Sequence, residues 1–167
     1  MGENISSVRV IKFIEENQNR LYRMAYGYMK NEQDALDAVH DAIVKILQNK
    51  DKIRRGEYFE TWAYRILINE CLMALRKQKH ILTLYDEDEM DDRGDMQKQQ
   101  EDAVDLYHAM DRLPPKLKTV ILLRFFEEMK LDEIAAVTGE KLSTVKSRLY
   151  KAMKLLRHDL EVQDEDQ

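Results

Sequence analysis

Apolar side chains return every three or four residues along most of this chain, the spacing of one face of an α-helix, and the places where that rhythm stops divide it. Ile11, Ile14, Leu21, Met24, Ala25 and Tyr28 predict a first helix from about Val8 to Met29, broken at Asn31. A second, from Asp34 to Gln48, is expected to bury Leu36, Val39, Ile43, Ile46 and Leu47 and to turn Asp37, His40, Asp41 and Lys45 outward. A third runs from about Glu60 to Gln78. Its apolar stripe is Tyr64, Ile68, Cys71 and Leu75, and Trp62, Arg65, Asn69 and Arg76 fall on roughly the opposite side. Between His80 and Glu101 the rhythm disappears. It resumes over Asp102–Arg112, is ended by Pro114 and Pro115 because the residue before a proline is pushed out of the helical region, and returns over Lys116–Phe126 with Leu117, Val120, Ile121 and Phe125 inward. The expected fold is all-α, with two small helical domains over residues 8–79 and 102–160, a linker over 80–101 and a tail over 161–167.

The last helices of this series carry a more specific pattern. Asp132 and Glu133 open a short helical run that closes at Gly139, a residue tolerant of the positive φ a tight turn needs. A further helix is expected to start near Ser143, a good N-cap type, with Leu142, Val145, Leu149, Ala152, Met153 and Leu156 on one side and Thr144, Ser147, Arg148, Lys151 and Lys154 on the other. Small Ala135, Gly139 four residues on, and Val145 suit the packing of a helix-turn-helix.

Charge sharpens that reading. The whole chain has a formal net charge of −5, yet its acid is concentrated. Residues 80–101 hold eight acids against two bases, and the tail from Asp159 holds five acids and no base, so the remainder is net positive. Lys141, Lys146, Arg148, Lys151, Lys154 and Arg157 stand between 141 and 158 without one acid, as a helix against phosphates requires. A basic amphipathic helix also occurs as a solvated or partner-binding face; the turn and the small residue favour DNA.

The remaining composition excludes more than it identifies. With 35% charged residues, five Gly and two Pro, β-turn signals are scarce. The lone Cys71 rules out an internal disulfide framework and suits a reducing cytoplasm. No apolar run has membrane-spanning length, and the N-terminus lacks a signal-peptide core. A cytoplasmic protein is expected. Asp37 and Asp41 around His40 raise a metal or acid/base possibility, but no second ligand group with matching spacing lies nearby, and the bland reading is a solvated face. His40, His80, His108 and His158 are scattered and no nucleophile or phosphate-loop motif occurs, so neither enzyme activity, cofactor nor metal is expected. Trp62, Arg65 and Asn69, preceded by Tyr58 and Phe59, combine aromatics for stacking with cations and an amide, a platform for unpaired bases. Phe59 and Trp62 could equally close the core.

Three stretches carry a family resemblance: DALDAVHDAIVKIL, FETWAYRILINECLMALRKQ and LPPKLKTVILLRFFEEMKLDEIAAVTGEKLSTVKSRLYKAMKLLR. In this order, with a linker between, they resemble the extracytoplasmic-function RNA polymerase sigma factors, the small type with only region-two and region-four domains. The resemblance implies that Asp37, His40 and Asp41 dock on the clamp helices of the polymerase largest subunit. It implies that Phe59, Trp62, Arg65 and Asn69, with Arg76 on the same face, serve −10 melting and base capture. It assigns Ser143, Thr144, Lys146, Ser147, Arg148 and Lys151 to the −35 major groove. It also implies contact with the flap of the second-largest subunit and a cognate anti-sigma factor, often membrane-anchored. Residues 80–101 could extend to at most about 75 Å, and two turns of DNA span about 70 Å, so one molecule could reach both elements. Two other readings stay open at this point: a helix-turn-helix regulator that binds duplex without polymerase, and a helical adaptor whose basic helix binds an acidic protein.

Overall fold

Helix α1 (Ser7–Met29) starts where the Ser6 side chain accepts a hydrogen bond from the Arg9 backbone N–H at 3.1 Å, satisfying one of the unpaired donors of the first turn. The structure, a computed structural model, describes residues 4–84 and 108–165. Two residues make the corner after α1. Lys30 takes the left-handed conformation (φ 66) and returns its N–H to the Tyr26 carbonyl; Asn31 then caps α2 (Glu32–Asn49) by accepting from the Asp34 N–H at 2.8 Å. Asn31 thus begins a helix as well as breaking one.

The register of α2 differs from the expected one. Its buried residues are Ala35, Ala38, Val39, Ala42 and Ile46, and Leu36 is 47% exposed, with Leu47 also exposed. The alanines allow close approach to α1 and α3, which turns the larger leucines to the outside. Two 3₁₀ turns (Lys50–Lys52 and Gly56–Tyr58) lead into α3 (Phe59–Leu84). Tyr64, Leu67, Ile68 and Cys71 of α3 are buried, and burial pushes the Cys71 thiol up to about 12, leaving a packed, unreactive group. Helix α3 also takes in residues 80–84, where a linker was expected; the rest of that acidic segment, with 102–107, lies outside the described residues.

The second unit consists of α4 (108–111), α5 (Pro115–Ile121), a π-helical turn (Leu122–Phe126), α6 (Leu131–Thr138) and α7 (Leu142–Glu165). Pro115 opens α5 at a position whose N–H would be unpaired anyway. The π turn accommodates an extra residue and shifts the helical phase, so Phe125, expected inward, is exposed and Phe126 packs against the core instead. Glu128 (φ 52) lets the Met129 N–H reach the Leu123 carbonyl at 3.0 Å. Gly139 (φ 74) does the same service after α6, its N–H bonding to the Ala135 carbonyl at 2.9 Å. Helix α7 begins one residue before Ser143 and continues through the start of the acidic tail to Glu165, since no glycine or proline interrupts it.

The buried residues of both units form one continuous cluster. Gly27, buried in the last turn of α1, marks the join: a Cβ built there would lie 2.6 Å from Leu122 Cδ2. Its φ is not positive, so no left-handed backbone requires glycine here, and close packing is what this glycine serves. Around it, Tyr28 Oη is hydrogen-bonded to Thr119 Oγ1, Tyr64 Oη donates to Glu127 Oε2 at 3.0 Å, and Lys30 pairs with Asp111 at 3.4 Å. Burial raises the Glu127 carboxyl above its ordinary range against the opposing pull of the Tyr64 hydrogen bond, Arg20 and Arg23.

Candidate nucleic-acid interface

The turn at Gly139 sets α7 across α6, and Val145, Ala152 and Leu156 anchor it. Leu142 and Met153, expected on the same apolar stripe, are exposed at its edges. The opposite side presents Ser143, Lys146, Ser147 and Lys151 to solvent, with Thr144 and Arg148 half-buried. Side chains on a helix lean toward its N-terminus, and Arg148 accordingly reaches back to Glu140, Nη1 to Oε1 3.2 Å. Periodicity gave no sign of this pair, because Glu140 lies in the turn and outside the helical repeat.

On the first unit, Lys52, Arg54, Arg55, Tyr58, Trp62 and Arg65 line an open cleft of about 510 Å³. Four cations and two aromatics can receive a phosphate chain and its bases. Asn69 and Arg76 lie exposed further along α3. Phe59 is not part of this surface. It is 1% exposed, its ring meets Phe13 edge-on at 5.3 Å, and the Arg9 guanidinium sits over its outer face at 5.3 Å while donating to the Gly56 carbonyl at 2.6 Å. The reading of Phe59 as a stacking residue is therefore corrected to a core role, and Tyr58, 53% exposed, is the free aromatic of the stretch. Trp62 is half-buried, its ring 6.1 Å from that of Phe59. Arg65, although exposed, is engaged: Nε donates to the Val137 carbonyl at 2.9 Å and Nη2 to the Ala136 carbonyl at 2.6 Å.

A third surface lies on α2. Asp37, His40 and Asp41 share one exposed face with Leu36, Val44 and Leu47, an apolar strip edged by acid, of the kind that receives another protein. Lys45 is turned away from it, paired with Glu70 of α3. Among the described residues no three His, Cys, Asp or Glu side chains converge as metal ligands would, and no helix is long and apolar enough to cross a membrane.

Residues 13–81 match the family model described as Sigma-70 region 2, and residues 103–156 that described as Sigma-70, region 4. The RNA polymerase sigma factor SigV of Bacillus subtilis is 42% identical over 156 residues, which is 93% of each chain. The chain belongs to the sigma-70 family of RNA polymerase sigma factors, in the extracytoplasmic-function group. The ECF RNA polymerase sigma factor SigW of Bacillus subtilis is 26% identical over 86% of this chain and 84% of its own. Two solved structures share the fold: the sigma factor RpoE in complex with the anti-sigma factor NepR from Bartonella quintana (TM-score 0.69, 23% identity, 90% of this chain and 98% of that one), and CnrH in complex with the cytosolic domain of CnrY (TM-score 0.70, 21% identity, 94% and 90%). In this sigma factor, region two therefore corresponds to α1–α3 with the basic cleft and the α2 face, and region four to the unit that ends in α7.

Proposed function

We propose that this sigma factor directs core RNA polymerase to promoters by reading a −35 element in the major groove with α7 and a −10 element with α3, where a melted base is captured. The observation that carries this reading is that one chain bears two basic surfaces, the outer face of α7 and a cleft with aromatic walls. Ser143, Thr144, Lys146, Ser147, Arg148 and Lys151 serve the duplex, phosphates positioning the helix and Arg148 reading a base edge. Trp62, Arg65, Asn69 and Arg76, with Tyr58 in place of Phe59, serve the single strand, where stacking offsets the few kcal/mol that unstacking a base costs. The exposed strip of α2 with Asp37, His40 and Asp41 docks on the largest-subunit clamp helices, and region four meets the flap of the second-largest subunit. The protein acts in the cytoplasm without metal or cofactor. Solved relatives held by anti-sigma factors support a similar inhibitor for this chain, soluble or anchored in the membrane.

Asn69 offers the most selective test. Asn69 is exposed, so Asn69→Ala should leave duplex binding by the holoenzyme intact and slow formation of the open complex. A permanganate footprint of the −10 thymines with wild-type rate and extent would remove Asn69 from this role.

A further inference from the structure

His40 stands in the middle of the exposed strip of α2. Leu36, His40, Val44 and Leu47 follow one another at intervals of four, four and three residues, which makes them one row on a helix. All four are exposed. Ala35, Ala38, Ala42 and Ile46 are buried on the other side, so the row points away from α1 and α3. The charged neighbours on its own helix are Asp37 and Asp41, along one edge of the row. From the adjoining groove, which both aspartates line, Asp34 of α2 and Glu70 and Lys77 of α3 are added, while α1 gives the uncharged Met29. Asp34 accepts from Gln78, and Glu70 is paired with Lys45.

Histidine is the side chain whose charge ordinarily changes between about pH 5 and 8. Two features of the row oppose a charged imidazole once a partner covers it. Burial between Leu36 and Val44 strips the ring of water, which disfavours the charged form. A partner selected by Asp37 and Asp41 is basic, so it sets cations against a protonated ring. We propose that His40 is a proton-sensitive contact of the polymerase-docking surface: α2 docks with the imidazole neutral, and acidification weakens the hold of this sigma factor on core RNA polymerase. The proposal rests on the α2 strip being the docking face. Docking then expels a proton, and apparent affinity falls with the fraction of molecules whose imidazole is neutral.

The test measures binding of the full chain to purified core RNA polymerase at constant ionic strength from about pH 7.5 down to about pH 5.5. Each protein is compared with its own affinity at the upper end, and circular dichroism confirms helix content throughout. His40→Gln carries a polar, uncharged side chain, so its curve records whatever titration belongs to core. The wild type is expected to lose about tenfold in affinity over this range beyond any loss by His40→Gln, since about one imidazole in ten stays neutral a pH unit below its ordinary midpoint. His40→Lys, charged at every pH of the range, should bind weakly throughout. Parallel curves for the wild type and His40→Gln, a wild type that tightens relative to it on acidification, or a His40→Lys protein that binds as tightly as His40→Gln would overturn the proposal. Leu36→Asp checks the surface itself. If it binds core as well as the wild type at about pH 7.5, the α2 strip is not the docking face, and the proposal falls with that reading. Weak binding by Leu36→Asp beside parallel curves for the other two proteins removes the role of His40 alone.

Discussion

Phe59→Ala is expected to lower the stability of the chain by about 3 to 5 kcal/mol, a large share of what a domain of this size possesses. The ring is buried between Phe13, Trp62 and the Arg9 guanidinium, and its loss leaves a cavity in the cluster that joins both units. Tyr58→Ala, one residue earlier on an exposed side chain, should change stability by less than about 0.5 kcal/mol and weaken single-strand binding by about 1 to 3 kcal/mol, the worth of one stacked base. Denaturant unfolding of both variants separates the roles. A Phe59→Ala protein as stable as the wild type but deficient in opening promoters would restore Phe59 to the DNA surface.

Arg148→Ala should weaken transcription from a matched promoter by about 1 to 3 kcal/mol and relax selectivity at a single −35 position, if the guanidinium contacts guanine in bidentate fashion. Glu140 holds that guanidinium in place at 3.2 Å and belongs to the turn, so the folded unit should survive the substitution. Lys151→Ala should behave differently. A phosphate contact carries no base preference, so binding should fall on all sequences alike, and the salt dependence should shrink by close to one unit of slope. Unchanged −35 selectivity in Arg148→Ala holoenzyme would take the base-reading role from α7.

Much of this molecule was legible in its residues, and the exceptions have physical causes. The helices, the Gly139 turn and the basic outer face of α7 came from periodicity and local charge, which depend on near neighbours. The register of α2 did not, because pattern reading weighs leucine above alanine, whereas the close approach of α1 and α3 favours Ala35, Ala38 and Ala42. Phe125 was misassigned because a π turn shifts the helical phase by a residue and leaves no mark in composition. The burial of Phe59 under Arg9 joins positions fifty residues apart, and Arg65 finds its partners more than seventy residues away. Gly27 was the available clue to the contact between units: a helical glycine without a positive φ asks what packs against it.

Run-off transcription with purified core RNA polymerase is the measurement closest to the central claim. Fragments of the source genome, transcribed with core enzyme alone and with this chain added, should yield discrete promoter-initiated transcripts only when the chain is present, and the chain should co-elute with core. Duplex footprints by the chain alone that core does not alter, with no new transcripts, would contradict the account and indicate a regulator that works without riding on polymerase.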